Sequence, residues 1–368
     1  MRGVALAALL MPVLDAAVPR PNRAALKMFG SAITLYERAE YDAALSRFNK
    51  AMVLFPGWKT ASGYRALCRW TMGDAPGAVS DAEGALKLKP NDAQSFIGRG
   101  DARLVTRDYP GAIEDFQQAA ALEPDNTQAH FGLGNALSSK GEARAALKPL
   151  DNAIRLNPEF AAALLVRAAV KDRLRDFSGA VSDYSQVLRI NPKFAWTHLY
   201  RGKSLRESKD YRSALDDLNQ FLESYPERID AIYMRGNVKF LLGDYAGCVQ
   251  DLDRVLESDP RKGLAYSNRG QAKAVLGDKD GALADLRRAL ELEPTRRGKI
   301  QAAIDALQAP SMQRAAEPTP PAAKAKTAAA SRLRPAESVV VEPPHREPGQ
   351  TEAERIGASA QDDTFFIK

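Results

Sequence analysis

Prolines recur every 34 residues, at Pro56, Pro90, Pro124, Pro158, Pro192, Pro226, Pro260 and Pro294, with nothing inserted or deleted between them. A period of that length, held across most of a chain, marks a stack of one supersecondary unit repeated many times. Taking each proline as the third-last residue of a unit gives eight units: 25–58, 59–92, 93–126, 127–160, 161–194, 195–228, 229–262 and 263–296.

Other columns align in the same frame. The eighth place is always small (Ala32, Ala66, Gly100, Gly134, Ala168, Gly202, Gly236, Gly270), and so is the twentieth (Ala44, Ala78, Ala112, Ala146, Ala180, Ala214, Cys248, Ala282). The twenty-fourth is large and apolar in seven units (Phe48, Phe116, Leu150, Tyr184, Leu218, Leu252, Leu286) and small only at Ala82. Apolar residues at places 20, 24 and 27 lie on one helix face, and small residues let a second helix approach it. Each unit therefore reads as helix, turn, helix. Gly73, Gly141, Gly243 and Gly277 sit where the first helix should end in a left-handed residue. The next place is acidic in every unit (Glu40, Asp74, Asp108, Glu142, Asp176, Asp210, Asp244, Asp278), suited to capping the second helix.

These columns resemble the tetratricopeptide repeat (TPR), a helix-turn-helix with small, aromatic and proline signature places. The resemblance covers 25–296. It implies an all-α superhelical solenoid whose concave groove is lined by the first helices and binds peptides or protein partners. One subgroup of that family holds acidic C-termini with a Lys at the fifth place. Here that column is Phe29, Gly63, Ile97, Phe131, Leu165, Leu199, Tyr233 and Ser267, so that mode of binding is not expected.

Two further patterns concern the scaffold. Arg fills the seventh place in six units (Arg65, Arg99, Arg167, Arg201, Arg235, Arg269), and Asp fills the twenty-third in the same six (Asp81, Asp115, Asp183, Asp217, Asp251, Asp285). An ion pair between the two helices of each unit follows, partly exposed and worth no more than about 1 kcal/mol. Unit four lacks the pair and carries Pro149 inside its second helix, with Gly132 and Gly134 in its first. A kink and a loosened first helix are expected there.

The net charge of +6 divides unevenly along the chain. Residues 309–368 balance eight basic against eight acidic side chains, and residues 1–24 contribute +2. The array keeps only about +4, with both signs interspersed, and shows no clustered Lys/Arg face of the kind that binds nucleic acid. Three histidines and two cysteines leave little material for a metal site. His130 and His198 read as packed helix residues, and Cys68 and Cys248, five units apart, as buried free thiols. Gly132-Leu133-Gly134 has no strand before it and no third glycine, so it is no dinucleotide fingerprint. No nucleophile, base and orienting acid recur together. A catalytic group, a cofactor or a metal is therefore not expected.

Residues 1–24 divide between two readings. The apolar run of Met1–Ala17 resembles a short secretory signal, which would place the protein in the periplasm or outside the cell. As an N-terminal cap over the first unit it would leave the protein cytoplasmic. Ile300, Ile304 and Leu307 give 297–308 the stripe of a closing helix. Residues 309–368, with eight prolines and no period, read as a disordered tail ending in the acidic-aromatic cluster Asp362–Lys368.

The groove carries the functional expectation. The ninth place offers a polar series, Asp101, Asn135, Lys203, Asn237 and Gln271, able to bond an extended backbone. Phe131, Trp196 and Tyr233 interleave with it, as do Tyr36, Trp70 and Phe240, as aromatic anchors. The chain reads as a non-catalytic scaffold binding a protein or peptide in its groove, in an assembly or adaptor role. The alternative is a targeting or regulatory subunit that engages its partner through the tail.

Overall fold

The structure, a computed structural model, describes residues 20–309. The signal reading of Met1–Ala17 and the tail from residue 310, with His345 and Asp362–Lys368, lie outside the described residues. Sixteen helices form eight consecutive pairs: α1 (Arg23–Glu37) and α2 (Tyr41–Leu54), α3 (Lys59–Thr71) and α4 (Ala75–Ala85), α5 (Ala93–Val105) and α6 (Tyr109–Leu122), α7 (Thr127–Ser139) and α8 (Ala143–Leu156) in the first half. In the second half follow α9 (Ala161–Arg173) and α10 (Phe177–Ile190), α11 (Ala195–Glu207) and α12 (Tyr211–Ser224), α13 (Ile229–Leu242) and α14 (Tyr245–Ser258), α15 (Gly263–Leu276) and α16 (Lys279–Leu292). A final helix, α17 (Arg297–Gln308), buries Ile300 and Ile304 against Leu286 and Ala289 and closes the C-terminal end. No strand occurs among the described residues.

The turn within each pair repeats one geometry. Its left-handed residue is Gly73, Gly141, Gly243 or Gly277 in four units, and Ala39, Arg107, Arg175 or Lys209 at φ of 58–68° in the others. Six aspartates at the following place accept a hydrogen bond from the amide three residues on, as Asp244 does from Gly247 at 2.9 Å. Glu40 and Glu142, one methylene longer, make no such cap bond. Small eighth places let the paired helices close: a Cβ on Gly134 would lie 2.6 Å from Leu150 Cγ.

All six Arg–Asp pairs form as two-pronged bonds. Arg201 Nε and Nη2 each donate to an Asp217 oxygen at 2.7 Å. The expected partial exposure holds for the arginines, whose side chains are 16–24% exposed, while the aspartates are only 1–7% exposed. In five pairs a second cation joins (Arg69, Arg103, Lys171, Lys239, Lys273), and in the unit with Leu205 at that place His198 Nδ1 bonds Asp217 at 2.8 Å instead. Burial works against ionised Asp217, but Arg201 and His198 together hold its carboxyl below the usual carboxylate range. The remaining nitrogen of five arginines crosses to the preceding unit, at Asn49, Asp151, Ser185, Asn219 or Asp253. Each of these arginines thus ties two helices and two units. Removing one partner strands a buried charge, at a cost of about 3–5 kcal/mol rather than the 1 kcal/mol of an exposed bridge.

Unit four departs from the sequence reading in its first helix. Helix α8 runs through Pro149 without a break and matches its counterparts at 14 residues, with the otherwise paired carbonyl lying on exposed Ala145. Gly132 and Gly134 are contact points rather than loose spots, since a Cβ on Gly132 would meet the Phe116 ring at 2.2 Å.

Successive first helices approach one another along the stack, α5 to α7 to α9 and α11 to α13 to α15, and no comparable contact joins successive second helices. The array therefore curves toward its first helices. The curvature is sharpest at α3 and α5, where a Cβ on Gly63 would lie 1.8 Å from Gly98 O. Ala66, Ala78, Ala82, Ala85 and Ala102 fill the joint with small side chains, and α4 is three residues shorter than every other second helix.

Candidate functional site

The curved inner face divides into two stretches. Along units six to eight it is accessible and polar. Lys203 is exposed, and Tyr233, Asn237 and Gln271 are half-buried. Asn268 Nδ2 donates to Asn237 Oδ1 at 2.7 Å and lies 3.4 Å from the Tyr233 hydroxyl, and Asn237 also bonds that hydroxyl, so the three side chains form one network. Gln271 Nε2 donates to Ser267 O and Oγ. Lys262 Nζ sits 4.4 Å from the Tyr233 ring centroid, a cation–π contact. Burial raises the Tyr233 hydroxyl, while the hydrogen bond from Asn237 and the charges of Arg296 and Arg206 act on it in the opposite sense. This stretch is a tyrosine surrounded by cations and amides.

Along units three to six the first unit lies across the inner face. The C-terminal end of α1 and its turn reach the starts of α7, α9 and α11. Glu37 accepts from Gln128 Nε2 at 2.8 Å, Asn157 Nδ2 at 3.0 Å and Thr127 Oγ1 at 3.4 Å. The Ala39 carbonyl accepts from Asn191 Nδ2 at 3.2 Å. Tyr36 packs edge-on to Phe131 at 6.2 Å between centroids, and Tyr41 to Phe194 at 5.7 Å. Burial raises the Glu37 carboxyl, and its three donors pull it back.

The expected groove residues therefore separate. Lys203, Tyr233, Asn237 and Gln271 come together on the accessible stretch. Asn135 is half-buried in unit four. Phe131, Trp196 and Asp101 are packing residues. Phe131 is 2% exposed between Tyr36 and Phe160. Trp196 is 4% exposed against Phe221 and Tyr225, because it faces the second helix of its own unit rather than the groove. Asp101 is 4% exposed beside Tyr36 and Tyr64, and burial holds its carboxyl well above the usual range. Tyr36, expected as a groove aromatic, belongs to the segment that fills the groove. Cys68 and Cys248 are buried and free, each thiol pushed up by burial to about 12.

Sequence reasoning missed Glu37, Gln128, Asn157 and Asn191. Two signals were available. Asn precedes the periodic proline only in units four and five, and α9 opens with the unbroken apolar run Ala161-Ala162-Ala163-Leu164-Leu165-Val166. A helix apolar on every side is covered on every side, and the first five of these residues are buried.

Family models described as TPR repeat and tetratricopeptide repeat match residues 108–141, 133–193, 197–228 and 233–297. The chain belongs to the tetratricopeptide-repeat family. No curated protein matches it in sequence. Among solved structures, the TPR array resembles one described as the APC/C hetero-tetramer Cut9–Hcn1, with TM-score 0.57 and 14% identity over 76% of this chain and 55% of that one. It is also similar to YrrB, described as a TPR protein with an unusual peptide-binding site, at 22% identity and TM-score 0.48 over 52% of this chain and 98% of that one. A third is pilF of Pseudomonas aeruginosa, at 14% identity and TM-score 0.48 over 60% and 99%.

Proposed function

We propose that this TPR protein is a non-catalytic scaffold that binds an extended protein segment along units six to eight, in an assembly or adaptor role. The observation that carries the reading is the accessible cluster of Lys203, Tyr233, Asn237 and Gln271, with Lys262 against the tyrosine ring. Amides spaced one unit apart suit a backbone that runs along the stack, an aromatic supplies an anchor, and the cations favour a segment carrying carboxylates. Protein partners are what the fold itself implies, and the interspersed charge of the array offers nucleic acid no basic face. An apolar leader at Met1–Ala17 fits export, which N-terminal sequencing of native protein tests: an intact Met1 or Arg2 in cytosolic material defeats it.

The site is tested by partner capture on the full chain, read by quantitative mass spectrometry. Replacing Lys203 and Asn237 together by Ala removes a cation and an amide without touching the core, and lowers capture about fivefold or more. A matched protein lacking residues 310–368 keeps its capture under this reading. Loss of capture on tail removal, with the double variant unaffected, transfers the function to the tail.

A further inference from the structure

The contacts of the first unit have the chemistry of recognition rather than of repeat packing. Within the stack, neighbouring units meet through alanines, leucines and aromatic rings, and their polar ties run between helices packed side by side, as from Arg167 to Asp151 and from Ser204 to Asp172. Here a glutamate side chain and a main-chain carbonyl, at the tip of a turn, meet four side-chain donors drawn from consecutive units. Two of those donors are held ready by their own loops. Asn157 Oδ1 accepts from the Glu159 amide at 3.1 Å and Asn191 Oδ1 from the Lys193 amide at 3.2 Å. Each asparagine oxygen is thereby occupied and its NH₂ turned toward the groove. The equivalent place in unit seven is Asp259, whose Oδ1 accepts from the Arg261 amide in the same way. With a carboxylate there, no donor is presented. Amide donors thus stand at this place only where the turn of unit one arrives.

Rings flank the polar contact on both sides, Tyr36 on Phe131 and Tyr41 on Phe194. We infer that units four and five carry a second recognition site, for a protein segment in which a carboxylate is flanked by aromatic rings, and that the turn Tyr36–Tyr41 is its occupant within the chain, displaced when a partner presents that chemistry. The site is separate from the accessible stretch of units six to eight, and its case stands without that reading.

The seated turn is balanced rather than welded. It closes over Asp101, a carboxylate with no cation at hand among the described residues, whose burial opposes closure in its ionised form. The ion pair it makes to the site, Arg38 with Glu159, is 3.8 Å long and largely exposed.

The experiment uses the full chain and a fluorescent peptide of residues 33–44, Ile-Thr-Leu-Tyr-Glu-Arg-Ala-Glu-Tyr-Asp-Ala-Ala, read by anisotropy. In the wild-type protein the internal turn competes and binding is weak. Glu37→Ala weakens the internal competitor, and the peptide binds at least about tenfold tighter. The gain disappears when Asn157→Ala and Asn191→Ala are added, or when the peptide's own glutamate at the Glu37 place is replaced by alanine. Circular dichroism checks that the variants stay helical. Should Glu37→Ala lose helicity, the isosteric Glu37→Gln is read by the same criteria. A helical Glu37 variant that gains no affinity overturns the inference, as does a gain that survives loss of both asparagines.

Discussion

Between α13 and α15 the first helices approach far less closely than α3 and α5 do, and Gly236 faces its own unit's second helix, where an added Cβ would meet Asp251 Cβ at 3.2 Å and Leu252 Cγ at 3.4 Å. Between α3 and α5 backbone meets backbone, and a Cβ on Gly63 would fall 1.8 Å from Gly98 O. Both regions obey the same period, the same αL turn and the same Arg–Asp tie. The difference lies in one or two small residues outside the signature columns, and it changes what the inner face can do. At the C-terminal end that face stays open and presents Lys203, Tyr233, Asn237 and Gln271. At the N-terminal end the tight joint brings unit one back over units three to six, where Tyr36, Glu37 and Tyr41 fill the face. In a repeat protein the signature places fix the unit, and the residues between them set how far the stack bends.

The largest expected effect comes from forcing that joint apart. Gly63→Val places side-chain carbon on the Gly98 carbonyl, a clash that neither helix can relieve by rotating a side chain. A loss of more than about 3 kcal/mol is expected, together with faster hydrogen exchange across Tyr36–Tyr41. Ser267→Val, at the same fifth place in the open half, costs under about 1 kcal/mol by the same thermal melts. Equal costs at the two sites would erase the distinction between the halves.

The border between the regions gives an intermediate effect. Asp172 on α9 accepts from Ser204 Oγ on α11 at 2.7 and 2.9 Å and from the Tyr184 hydroxyl at 3.1 Å, and burial pushes its carboxyl up to about 6. A carboxyl raised in the folded state is protonated there when the unfolded chain has already ionised. Its contribution to stability is therefore greatest below about pH 4 and falls as the pH rises to about 6. Asp172→Asn flattens that stretch of the stability–pH curve and adds about 2 kcal/mol at about pH 7.5. Chemical denaturation at several pH values checks it; an unchanged slope would remove Asp172 from the account of the border.

The smallest effect tests what the halves share. Lys209 holds φ of 68° in a turn where Gly243 and Gly277 stand in the next two units. Relief of left-handed strain is worth about 1–2 kcal/mol, offset in part by the extra freedom of glycine when unfolded. Lys209→Gly should then gain about 0.5–1 kcal/mol in thermal unfolding, with Arg107→Gly in the closed half behaving alike.

The period, the helix pairs, the acidic caps and the Arg–Asp pairing were readable from the sequence because each is local, set by residues within one unit and repeated. The burial of Asp217 and its equivalents was not, since it depends on the neighbouring unit that covers them. Groove residues were readable only where the stack is regular. Asp101 and Phe131 sit at groove places and are buried because a unit far away in sequence lies on them, and no column of a repeat records its distance from unit one. Trp196 failed for a nearer reason, its side chain turning toward the second helix of its own unit. Ala82 broke its column and marked the tight joint, but a single small residue does not say which way a stack will bend.

The seating of unit one on units four and five is tested most directly by a distance. Spin labels on Asp42→Cys and Lys193→Cys, both at exposed positions, leave the buried Cys68 and Cys248 unlabelled. Pulsed electron paramagnetic resonance on the full chain should then give one short distance, consistent with Tyr41 and Phe194 rings 5.7 Å apart. A distribution centred at roughly 40 Å, the span of four unit steps stacked at the usual 8–10 Å helix spacing, would contradict it.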